Sequence, residues 1–179
     1  MDKFLKDFID YLSIEKKMSQ NSLYAYRRDV LEFAGIIQEK QDLSLNEASK
    51  TEVVAYLLNL KNAGKSAATV NRKIASLRAF YNFMTAKNYI SENPTANIKS
   101  PKIERKSIEY LTIEEIENLL SKPDGTIKGA RDRAILELLY ATGLRVSEIV
   151  EMNVEDVNLR MGFVTCTGEH GKARIIPMG

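Results

Sequence analysis

Hydrophobic residues recur at helical spacing along the first ninety positions of the chain, in runs separated by short polar stretches. In "DKFLKDFIDYLSIEK", Phe4, Leu5, Phe8 and Leu12 share one face of a helix. Ser19 is placed to cap a second helix, whose apolar row is Leu23, Tyr26, Val30, Phe33 and Ile37. Ser49 and Glu52 have the spacing of a capping box ahead of "VVAYLLNLKNAG", and Gly64 supplies the stop. Ser66 then caps a long helix with Val70, Ile74, Leu77, Tyr81 and Met84 on one face. Four amphipathic helices on short connections predict a small bundle.

The pattern changes at "ISENPTANIKSPKIERKS", where two prolines and four basic residues between Lys99 and Lys106 interrupt the periodicity. This segment reads as a linker, either a solvated spacer or one that also touches phosphates. A second unit starts at "LTIEEIENLL", with Thr112 and Glu115 as another capping box. "GARDRAILELLYATG" predicts a helix ended by Gly143, followed by a short helix from Arg145. "GFVTCTGEHGKARIIPMG" then alternates around a glycine-containing turn and predicts a β-hairpin. A lone hairpin is marginal, so the second unit reads as incomplete.

Composition narrows the chemistry. The 179 residues are 44% hydrophobic, enough for a real core. Net charge is only +2, so a nucleic-acid surface has to come from local clustering. One cysteine, Cys166, excludes an intramolecular disulfide and a four-cysteine zinc site, and one histidine, His170, leaves too little for a His-based metal site or a conventional Ser-His-Asp triad. The start mixes acids into its apolar residues, unlike a signal peptide, and no apolar run nears the roughly 18 residues of a membrane span. A cytoplasmic protein is expected. Cys166, alternating within a strand, is expected to be a small core residue, and His170 an exposed, incidental one.

Basic and hydroxyl side chains cluster on two helices. Asn21, Ser22, Arg27 and Arg28 lie on the second. On the fourth, Thr69, Arg72, Lys73 and Ser76 follow i, i+3, i+4, i+7 spacing with Lys65 and Ser66 at the head. Such a stripe suits a major groove, with Lys and Arg on phosphates and Asn, Ser and Thr on bases or backbone. A merely solvated helix face remains the alternative. Tyr24 and Tyr26 are expected to pack. Lys99 and Lys102 on the linker complete the candidate DNA contacts.

One charge stands out. Arg145 follows a Gly-Leu turn beside an apolar helix, where an unpaired buried guanidinium would be costly, so an anion should meet it. The residues around it, "RDRAILELLYATGLRVSEIVEMNVEDVNL" followed by a hairpin ending "KARIIPMG", resemble the first half of a tyrosine recombinase catalytic domain of the Xer type. "SQNSLYAYRRDVLEF" and "SAATVNRKIASLRAFYNFM" resemble the same family's helical core-DNA-binding domain. The likeness spans nearly the whole chain.

The resemblance implies a mainly α protein. A four-helix SAM-like core-binding bundle would occupy residues 1–97 and a linker 98–109. Residues 110–179 would form the first, incomplete part of an α+β catalytic domain with its β-hairpin. It implies that Arg145 clamps a scissile phosphate and stabilises the charge of the phosphorane, with Glu148 as its structural partner. A purely structural ion pair of Arg145 with Glu148 or Asp132 is the rival. The family reaction uses no metal or cofactor: a tyrosine attacks the phosphodiester, a 3′-phosphotyrosyl intermediate forms, and a partner strand's 5′-hydroxyl reverses the step. The implied partners are a double-stranded recombination site and further protomers in a tetrameric synapse, with no membrane and no small-molecule substrate.

The sequence departs from this pattern in two ways. None of its eight tyrosines stands in the family's nucleophile context, so this chain is expected to bind duplex DNA without cleaving it. The place of the family's general-acid lysine is held by Glu169, which as an anion repels phosphate and donates no proton. Lys172 is the possible substitute or a phosphate contact. A truncated, non-catalytic accessory or competitor of recombination is the alternative function.

Overall fold

A computed structural model of the protein describes residues 3–103, 107, 109–168 and 173–178. The chain divides into two compact units, residues 1–106 and 107–179.

The first unit is the expected bundle: α1 (Lys3–Ile14), α2 (Gln20–Gln41), α3 (Lys50–Asn62) and α4 (Ala67–Ala86). Serines start three of them, each taking a backbone N–H of the first turn: Ser19 from Ser22, Ser49 from Thr51 and Ser66 from Thr69. Glu52 returns its carboxylate to the Ser49 N–H at 2.7 Å and so closes the capping box. The apolar rows converge on one core around Leu5, Phe8, Val30, Phe33, Leu77, Phe80 and Tyr81, all fully buried. Phe8 and Phe80 meet edge-on with centroids 5.3 Å apart. The Tyr81 hydroxyl donates to the Leu45 carbonyl at 3.0 Å and ties the α2–α3 connection to the core.

The segment after α4 is not a free spacer at its start. Ile98 is buried in the bundle core. The Arg78 guanidinium donates to the Ile98 carbonyl and to the Ser100 hydroxyl, and the Asn71 side-chain amide donates to the Pro101 carbonyl at 2.9 Å. Burial of Ile98 and the hydrogen bonds from Arg78 and Asn71 together dock the start of this segment on the bundle.

The second unit comprises α5 (Ile113–Leu120), α6 (Ile127–Thr142), α7 (Val146–Val150), a 3-10 turn at Val154–Asp156, and β1 (Val157–Asn158), β2 (Phe163–Thr167) and β3 (Ala173–Pro177). The Thr112–Glu115 capping box forms as expected, and Gly143 ends α6 in the left-handed region, φ 63°. The expected hairpin gains a third strand: β1 pairs with β2, giving an antiparallel sheet of order β1-β2-β3. Register sets Val164 opposite Ile176 and Cys166 opposite Arg174. Among the described residues only Leu144, Val164 and Cys166 form a buried apolar cluster in this unit. Ile127, Tyr140, Val146, Val150, Val154 and Leu159 stay in solvent. No described helix is long and apolar enough to cross a membrane.

Candidate nucleic-acid interface

On α2, Asn21, Arg27 and Arg28 are exposed, and with Tyr24, Ala25 and Leu31 they line a shallow concavity of about 460 Å³. Ser22 is half-buried beside the Ser19 cap, their hydroxyl oxygens 3.2 Å apart. Tyr26 packs against Phe8 as expected, centroids 6.2 Å apart. Tyr24 does not pack: it is 65% exposed on the face that carries Arg27 and Arg28.

The stripe on α4 is divided. Lys65 and Ser66 are exposed at its head, and the Ser66 hydroxyl lies 2.9 Å from that of the half-buried Thr69. Lys73 and Ser76 turn inward instead, 5% and 2% exposed. They reach Asp29 of α2, which is completely buried. The Ser76 hydroxyl donates to Asp29 at 2.8 Å, Lys73 Nζ lies 3.6 Å from its other oxygen, and Arg72 donates from the rim with its side chain 40% exposed. Lys73 also pairs with Glu32, whose other oxygen accepts the Tyr56 hydroxyl at 3.1 Å. Two acids one turn apart on α2 thus take up the inner half of the basic stripe, so Lys73 and Ser76 do not face solvent. Buried charge must be paired, and the pairing has a signature in the sequence. Asp29 and Glu32 stand beside the core positions Val30 and Phe33, facing the α4 row that carries Arg72 and Lys73. Burial pushes the Glu32 carboxyl up, yet the Lys73 hydrogen bond and charge outweigh it and hold the group below the usual carboxylate range. Burial, reinforced by the Glu32 charge, pushes the Tyr56 phenol up.

What faces solvent on the bundle is therefore Asn21, Arg27, Arg28, Lys65, Ser66 and part of Arg72, with Lys99 and Lys102 exposed on the segment beyond α4. These side chains bring permanent charge and hydrogen-bond donors to an open surface, the equipment for holding a phosphate backbone.

In the second unit, Leu144 is buried immediately before Arg145, which stands at the N-cap of α7. The burial anchors the backbone while the Arg145 side chain projects outward, 77% exposed. The expected apolar surroundings of this charge are therefore absent: no desolvation penalty has to be met. Its Nη1 donates to Glu148 Oε1 at 3.0 Å, and the other carboxylate oxygen accepts the Arg145 backbone N–H at 2.8 Å. Asp132 pairs with Arg131 instead, at 2.7 Å. The side chain that sequence reasoning missed is Arg174, whose Nη2 donates to both Glu148 oxygens, at 2.9 and 2.8 Å. The Arg145 amide first, then Arg174 and the Arg145 charge, hold the Glu148 carboxyl down at about 2. Cys166 is buried next to this group, and burial pushes its thiol up, away from thiolate reactivity. Glu169, His170 and Lys172 lie outside the described residues. Among the described residues no cluster of His, Cys, Asp and Glu is arranged to hold a metal.

The helical bundle and the mixed α/β second unit each match a known family domain. Residues 5–88 match the phage integrase N-terminal SAM-like domain and residues 109–179 the phage integrase family domain. The chain belongs to the phage integrase family of tyrosine recombinases. It is 39% identical over 176 residues to a tyrosine recombinase XerD of Oceanobacillus iheyensis, with 98% of this chain and 59% of the relative covered. It is 41% identical over 174 residues to a putative tyrosine recombinase of Caldanaerobacter subterraneus, covering 97% of this chain and 59% of that one. The chain thus spans about three-fifths of the length of the curated relatives it matches. Its fold is similar to that of lambda integrase, whose matched structure is a dimer bound to a COC′ core site (TM-score 0.76, 22% identity, 97% of this chain and 60% of that one). It also resembles the Tn1549 transposon integrase in complex with circular intermediate DNA (TM-score 0.67, 17% identity, 98% and 60% covered).

Proposed function

We propose that this chain binds duplex DNA and takes part in site-specific recombination. The bundle grips the backbone through Arg27, Arg28 and Lys65, with Asn21, Ser22, Ser66 and Thr69 reaching base edges or sugar–phosphate oxygens. Arg72 contributes from the rim of its ion pair, and Lys99 and Lys102 add phosphate contacts from the segment beyond α4. Arg145 serves the scissile phosphate. The observation that carries this reading is the outward, partly paired guanidinium of Arg145, fixed at the N-cap of α7 within the residues that resemble the family's phosphate-binding motif. A planar cation on a rigid backbone neutralises charge as it develops on phosphate oxygens without reorganising at the moment of reaction.

Cleavage itself requires a nucleophilic tyrosine and a general acid. With glutamate at position 169, Lys172 is the candidate proton donor or a further phosphate contact. The second reading, a non-catalytic accessory that occupies recombination sites, is favoured by Glu169 at the place the resemblance gives to the general-acid lysine, an anion that donates no proton. Both readings predict enrichment of a preferred site when the chain selects from a random duplex pool, and failure to enrich any sequence would reject site-specific recognition. A nicked duplex that traps covalent intermediates tests for cleavage by this chain. The chain alone should form no phosphotyrosyl adduct, and an adduct mapped to one of its tyrosines would make it catalytically complete.

A further inference from the structure

Glu148 sits between two arginines that come from different elements, Arg145 at the start of α7 and Arg174 on β3, and it serves them unequally. Arg174 engages both carboxylate oxygens, whereas Arg145 gives one side-chain donor to Oε1 and its backbone N–H to Oε2. The trio carries a net charge of +1. Glu148 alone with Arg145 would make a neutral pair, and a carboxylate with both oxygens available is the natural bidentate partner of a guanidinium. Such a pair has little charge left for an incoming phosphate oxygen. Sheet register fixes Arg174 where it can prevent this: it lies opposite Cys166, and Cys166 is buried in the same cluster as Leu144, the residue that anchors Arg145.

We propose that Arg174 is a positioning residue for Arg145: by occupying both oxygens of Glu148, it keeps the Arg145 guanidinium open to a phosphate. This rests on the reading that Arg145 binds phosphate. Glu148 then has two tasks. It caps α7 through the Arg145 backbone N–H and orients the guanidinium by one hydrogen bond, while Arg174 cancels the charge that would otherwise hold it back. Arg174 touches neither phosphate nor substrate in this scheme and acts only through Glu148.

The test is a double-mutant cycle read at Arg145 itself. In the full chain labelled with ¹⁵N-arginine, the Arg145 side-chain Nε–Hε signal, assigned by its loss in Arg145→Lys, is followed during titration with inorganic phosphate at pH 6, where Glu148 is ionised. Arg174→Gln should weaken phosphate binding at this signal about fivefold, because both Glu148 oxygens then become free to hold the Arg145 guanidinium in a neutral bidentate pair. Glu148→Gln should change it less than about twofold while Arg174 is present. It should restore the affinity when combined with Arg174→Gln. The same factor from Glu148→Gln in both backgrounds would make Arg174 an independent charge and overturn the proposal, as would an unchanged affinity in Arg174→Gln. If phosphate fails to move the Arg145 signal even in the parent chain, the reading of Arg145 as a phosphate ligand falls, and this inference with it. Arg174→Met, which keeps the aliphatic stem along β3, replaces the glutamine variant if that chain does not fold.

Discussion

Replacing Asp29 by asparagine removes one negative charge from the middle of the bundle and changes almost nothing in shape. Asp29 is completely buried, and Lys73, its neighbour on α4, is 5% exposed. Removing one partner of a buried ion pair costs about 3–5 kcal/mol because the other charge is left uncompensated. Three features reduce that here. Lys73 keeps Glu32, and an asparagine oxygen still accepts the Ser76 hydroxyl. Arg72, partly exposed, rehydrates at little cost. The expected loss is about 2–3 kcal/mol, a large share of the 5–15 kcal/mol that a domain commands, and roughly 10–20 °C in Tm for a unit of this size. Urea unfolding of the full chain at pH 7, followed by near-UV circular dichroism, reports it, because Tyr56 and Tyr81 are both buried in this unit. A loss under about 0.5 kcal/mol in Asp29→Asn would refute the buried network as the clamp between α2 and α4.

Other consequences are simpler. Gly143 caps α6 at φ 63° with open space around an added Cβ, so Gly143→Ala should cost about 1 kcal/mol from backbone strain alone, measured by thermal unfolding. The folded pKa of Glu32 lies below its ordinary value of 4.5, so its contribution to stability is fully present above that value and is lost as pH falls through the folded pKa. The urea midpoint of the parent should therefore drop more steeply between pH 5 and 3 than that of Glu32→Gln, and equal slopes would contradict the Lys73 pairing. Cys166, buried with its thiol pushed up, should react with a disulfide reagent at pH 7 only as fast as the second unit opens. Full reaction in the dead time of mixing would place the thiol in solvent.

Local chemistry was legible in the sequence and distant pairing was not. The apolar rows of α1, α2 and α4, the caps at Ser19, Ser49, Ser66 and Thr112 and the stop at Gly143 each depend on residues within one or two turns. Lys73 and Ser76 had the spacing of an exposed stripe, but the acid that draws them inward is 47 positions from Ser76 along the chain. Arg174 meets Glu148 across 26 positions, a contact set by sheet register that no helical periodicity reveals. The apolar helix before Arg145 predicts a buried charge, but solvent surrounds its side chain. The sequence predicts packing for Tyr24, but its place among Asn21, Arg27 and Arg28 puts it on the open face.

The central claim is that the exposed side of α2 and the head of α4 hold duplex DNA through its phosphates. Its most direct test is the salt dependence of duplex affinity for the parent, Arg28→Gln and Lys65→Gln chains. Each phosphate contact contributes about −0.9 to the slope of log affinity against log salt. The account predicts a steep parent slope that becomes shallower by about 0.9 in each variant, without loss of folded structure. An affinity that is flat in salt, or slopes unchanged by both substitutions, would contradict it.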